Sequence, residues 1–93
     1  MEQKFVEAWL KNREKAAALG VRLRPMDRTE AMKQAARALS GTRPSDGFYA
    51  LAEKQQLALS LEALVVDKRF TALFTDEQAN TALTRLLDAG YRF

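Results

Sequence analysis

Apolar residues recur at helical spacing along this chain, and the runs end at glycines or at turn residues. That pattern commits most of the polypeptide to amphipathic helices and leaves little for a sheet. The first run covers residues 2–19. Phe5, Val6, Trp9, Leu10, Ala16, Ala17 and Leu19 form a broad stripe, and Gly20 follows as a helix-ending residue. Asn12 and Arg13 interrupt the stripe, so either the helix lifts off the core there or Arg13 lays its stem on the core and keeps its head in water.

Val21-Arg22-Leu23-Arg24-Pro25 alternates apolar and basic residues, and Arg24 precedes a proline. Helix is disfavoured at that position. The expected structure is an extended connector with Val21 and Leu23 turned inward, since no second strand candidate exists to pair with it. Asp27-Arg28-Thr29-Glu30 has a capping-box pattern with Asp27 as cap, predicting a helix to Ser40 with Met32, Ala35, Ala36 and Leu39 as its apolar face. Gly41 ends it, and residues 42–47 are a turn by composition.

The run LALSLEALVV, residues 57–66, predicts the centre of the fold. Read with the residues before it, it gives one long helix from about Asp46 to about Val66. Such a helix is apolar on most sides and is surrounded by other helices or by a partner chain. Phe70, Leu73 and Phe74 suggest one short helical turn. Thr75-Asp76-Glu77-Gln78 is a second capping-box pattern, with Phe74 placed as a staple to Ala79. The last helix buries Ala79, Ala82, Leu83, Leu86 and Leu87 and ends at Gly90, with Tyr91 folding back. The expectation is an all-α fold: a small four-helix-bundle-like single domain over residues 1–93 with one long, largely buried central helix.

Function is constrained mostly by what the chain lacks. The sequence contains no histidine and no cysteine. Histidine is the commonest general base and metal ligand, and cysteine supplies thiolate nucleophiles, zinc ligands and disulfides. The acids Asp27, Glu30, Asp76 and Glu77 sit where helix capping explains them. No clustered loop of oxygen ligands and no glycine-rich phosphate loop is present. The expectation is therefore no enzyme, no metal and no cofactor. The first twenty residues are dense in charge and leave no apolar signal region, and no stretch approaches a membrane span. A cytoplasmic protein is expected, with no membrane partner.

Net charge is +3, and its distribution is uneven: residues 1–45 carry +5 and residues 46–93 carry −2. Arg22, Arg24, Arg28, Lys33, Arg37 and Arg43 fall in one stretch, and Lys33 and Arg37 lie one helical turn apart. These six residues are the candidate surface for a partner or for nucleic acid. Asp27 and Glu30 are interleaved with them, and no exposed aromatic is clearly available for base stacking. A helix-turn-helix fails, because the position four before Gly41 holds Arg37 instead of a small residue. Phe48, Tyr49 and Phe93 are candidate interface aromatics, whereas Trp9 is assigned to the core beside Phe5. The leading function is a non-enzymatic protein-binding regulatory module of the small inhibitor, antitoxin or adaptor type. The alternatives are a nucleic-acid-binding accessory protein using residues 22–43, and a homodimer built on the central helix.

Overall fold

Helix α1 spans Glu2–Ala18 and buries Phe5, Val6, Trp9 and Ala16. Its end is set by Gly20, whose φ of +83° lets the chain turn back. There Gly20 N–H donates to the Ala17 carbonyl at 3.0 Å and Val21 N–H to the Ala16 carbonyl at 2.9 Å. This paired closure satisfies carbonyls that the helix end leaves open. The buried stripe is narrower than the sequence implies, since Ala17 and Leu19 are exposed. Arg13 resolves the interruption: it is half-buried, and its Nε donates to the Leu23 carbonyl at 3.1 Å. The computed structural model describes residues 2–41, 43–45 and 47–91.

The connector after α1 is extended, with Val21 and Leu23 buried as expected. Two side chains of α1 hold it down. Beside Arg13, the Trp9 indole Nε1–H donates to the Arg24 carbonyl at 2.9 Å. Helix α2 starts at Ala31 and runs to Ser40, three residues later than an Asp27 cap would place it. Asp27 instead closes a tight local turn: Oδ1 accepts from the backbone and hydroxyl of Thr29, both at 2.8 Å. Asp and Thr side chains compete with helical hydrogen bonding in this way. Gln34 reaches back, and its Oε1 accepts from Asp27 N–H at 2.9 Å.

The expected long central helix is not formed. Residues 48–65 make helix α3 (Phe48–Glu53), a 3-10 turn (Leu57–Leu59) and helix α4 (Leu61–Val65). The first break is Gln55, with φ at +57°. Gln55 N–H donates to Ala52 O at 3.1 Å and Gln56 N–H to Leu51 O at 2.8 Å, the closure that Gly20 gives α1. The second break is Ser60. Its hydroxyl donates to Leu57 O at 2.7 Å and accepts from Ala63 N–H at 3.2 Å, ending the 3-10 turn and capping α4. Breaking the helix turns Leu57, Leu59, Leu61, Leu64 and Val65 inward together, each at most 8% exposed.

A 3-10 turn at Thr71–Leu73 and helix α5 (Asp76–Asp88) complete the described chain. The Thr75–Gln78 capping box is present in both directions. The Phe74 ring meets Phe5 edge-on at 5.4 Å, and Phe70 meets Phe5 at 5.3 Å. Gly90 closes α5 at φ +85°, and Tyr91 N–H folds back onto Leu86 O at 2.9 Å. Leu86 and Ala82 are buried, but Leu87 is 55% exposed. Helix α4 packs chiefly on α5, with α1 on α4 and α2 on α5. The fold is all-α, and no strand forms among the described residues. No helix among them is long and apolar enough to cross a membrane.

Candidate functional site

Three of the six expected cations meet at one cleft of about 320 Å³, formed where the connector, α2 and the loop after α2 converge. One wall is Arg24, Pro25 and Met26 of the connector. The second is the face of α2 carrying Gln34, Arg37 and Ala38, which follow at helical spacing. The third is Arg43, Pro44 and Ser45. Buried Trp9 and Leu61 form the floor. The connector reaches this position because Trp9 and Arg13 bind its carbonyls.

Gly47 fixes the other side of the same loop. At φ +84° it approaches the connector so closely that a Cβ there would lie 2.5 Å from the Leu23 Cδ2. Only glycine combines that backbone angle with that approach.

The loop after α2 is anchored from beneath by a buried polar group. Glu62 is fully buried. Its carboxylate accepts from Ser45 N–H at 2.8 Å and from the Ser45 hydroxyl at 2.6 Å. Arg85 Nη1 donates to Glu62 Oε2 at 3.2 Å and to Ala38 O at 2.9 Å, while Nη2 donates to Gly41 O at 2.7 Å. Every described buried side-chain nitrogen and oxygen has a partner. A satisfied buried pair of this kind holds geometry more than it adds stability. Here it ties α4 and α5 to the end of α2 and to Ser45, and so sets the position of the third cleft wall.

Among the described residues the cleft walls carry Arg24, Arg37 and Arg43 and no carboxylate. Among the described residues neither Arg37 nor Arg43 pairs with an acid. Two further carboxylates, Asp27 and Asp67, are engaged locally. The Thr29 backbone N–H, then its hydroxyl, hold the Asp27 carboxyl below its ordinary range. The Arg69 side chain, then its backbone N–H, do the same for Asp67. No described group of three or more acids is placed to hold a metal ion.

All six expected cations are exposed, but Arg22, Arg28 and Lys33 do not line the cleft. Of the expected interface aromatics, Phe48 is a correction. It is 1% exposed, because its side chain enters the core as α3 leaves Gly47, and Tyr49 takes the outward position at 67% exposure. The two rings meet edge-on at 5.7 Å. Phe93 lies outside the described residues. Sequence reasoning missed Glu62 and Arg85. The available signal was a charged residue inside the apolar run LALSLEALVV, which calls for a buried partner. No known protein family, characterised protein or solved structure matches the chain.

Proposed function

We propose that this protein is a non-enzymatic binding module that regulates a protein partner, and that it engages the partner through the cleft between the connector, α2 and the Arg43–Ser45 loop. The observation that carries this reading is a concave, partly apolar cleft walled by arginines. Protein partners commonly anchor a side chain in a well-packed, desolvated pocket of this kind. The non-enzymatic part draws support from the absence of histidine and cysteine and from the local engagement of Asp27, Glu62 and Asp67. A reducing cytoplasmic setting fits a chain without cysteine. The buried leucines of residues 57–64 favour a monomer as the binding unit over a dimer built on that segment.

A nucleic-acid accessory role is the second reading, favoured by the exposure of all six cations in residues 22–43. Two observations weigh against it. Exposed Asp27 and Glu30 interrupt the basic stretch, and Trp9, the cleft's aromatic, is buried with its indole N–H committed to Arg24. It offers no free ring face for a base.

Photo-crosslinking tests the choice. A crosslinking residue replaces Met26 in the cleft wall, or Thr84 on the separate groove of α5. A discrete protein adduct in host extract from position 26 and none from position 84 is the expected result. Loss or gain of the partner's activity on adding the chain then identifies it as a regulator. A nucleic-acid adduct at position 26 supports the second reading, and adducts at neither position overturn both.

A further inference from the structure

We infer that the cleft seats an acidic segment of the partner, with one apolar side chain inserted toward Trp9 and carboxylates on Arg37 and Arg43. This rests on the protein-binding reading above and adds the chemistry of the bound segment. Charge complementarity selects the occupant: among the described residues the cleft walls bear arginines and no acid, and Arg37 and Arg43 attract an anionic ligand. Arginine further favours carboxylates, because its planar fork donates two parallel hydrogen bonds to one acid group.

A volume of about 320 Å³ accepts one or two peptide side chains. The apolar contribution comes from Met26, Pro25 and Pro44 in the walls and Leu61 in the floor. Met adapts to irregular apolar groups, which suits a short anchoring side chain. The charged and apolar parts are within one cleft, so an anchor and its flanking acids are read together. The Glu62–Arg85 pair keeps Ser45 in place beneath Pro44, so the wall carrying Arg43 exists before the ligand arrives.

Trp9 is the only tryptophan and lies in the cleft floor, so its fluorescence reports occupancy directly. The probe is a blocked synthetic peptide with a central leucine between acidic pairs. It is compared with a peptide in which serine replaces the leucine, with a peptide in which lysines replace the acids, and with a single-stranded oligonucleotide. The expected result is a saturable change in Trp9 emission with the acidic leucine peptide. Affinity should fall about tenfold for each of Arg37→Glu and Arg43→Glu, and with added salt. The serine peptide should bind more weakly, and the lysine peptide should give no change. Circular dichroism of the exposed-residue variants checks that the fold is kept.

Equal binding by wild type and both charge-reversed variants overturns the inference, as does a stronger response to the lysine peptide. Saturable oligonucleotide binding that displaces the peptide transfers the site to nucleic acid. A protein crosslinked at position 26 that binds the Arg37→Glu, Arg43→Glu double variant unchanged sinks the acidic-segment inference while leaving the protein-binding reading intact.

Discussion

Gln55→Gly is predicted to stabilise this protein, although glycine usually weakens helical segments. Gln55 is exposed and sits at φ +57°, the left-handed region that closes α3. A residue with a Cβ costs about 1–2 kcal/mol in that conformation. Glycine removes the cost but makes the unfolded chain more flexible, which offsets about 0.4–1 kcal/mol. The net gain is about 0.5–1 kcal/mol. For a domain of this size each kcal/mol moves Tm by about 4–8 °C, so Tm should rise by about 2–8 °C. Gln55→Ala keeps the Cβ, gains nothing at that angle, and should leave stability unchanged or lower. The order from most to least stable is therefore Gly, Gln, Ala. Were residues 46–66 one continuous helix, the order would reverse, because glycine costs about 1 kcal/mol relative to alanine inside a helix. Thermal and urea unfolding followed by circular dichroism give both values, and an unchanged urea slope confirms that the same surface is exposed in each variant. Alanine raising Tm while glycine lowers it would refute the broken-helix architecture.

Three further outcomes follow from particular contacts. Gly47→Ala should cost about 2–4 kcal/mol, combining the left-handed backbone angle with the approach of Leu23, whereas Gly20→Ala, in open space, should cost only about 1–2 kcal/mol; urea midpoints compare them. Arg85→Met should destabilise by about 3–5 kcal/mol, since it leaves Glu62 charged and buried without its ion-pair partner, and a double variant with Glu62→Gln should recover part of that loss in a thermodynamic cycle. The depressed Asp27 carboxyl adds stability that is present above its unfolded pKa and lost as pH falls through its folded value; an NMR titration should find the Asp27 midpoint below that of an unstructured aspartate, and Thr29→Ala should move it partway back.

Local chemistry was legible where one residue type does one job. Gly20 and Gly90 close helices where the sequence places them, and Thr75 and Gln78 form the capping box that their spacing implies. Val21 and Leu23 turn inward because an apolar and basic alternation before proline has few other solutions. The centre of the chain was misread because its breaks use uncommon residues. Gln55 closes a helix in a conformation normally marked by glycine, and Ser60 caps α4 from inside an apolar run. Asp27 failed as a cap because Thr29, two residues on, offers its hydroxyl and N–H to the same oxygen.

The candidate site was half legible for a similar reason. A run of arginines in residues 22–43 is visible in composition, but which of them converge depends on distant residues. Trp9 pins the connector from fifteen positions away, and Arg85 and Glu62 hold the loop carrying Arg43 from α5 and α4. Phe48 and Tyr49 are adjacent aromatics whose inward and outward roles are set by the backbone at Gly47, not by their own chemistry.

The central claim is that this cleft binds an acidic segment, and a heteronuclear NMR titration with the acidic leucine peptide tests it residue by residue. The indole N–H of Trp9 gives a single assignable signal, and amides of Gln34, Arg37, Ala38, Arg43 and Ser45 surround the same space. The account predicts that these signals move together with one dissociation constant, while Asn80, Thr84 and Asp88 on the other groove stay fixed. Shifts centred on α5, or no shift at the Trp9 indole at saturating peptide, would contradict it.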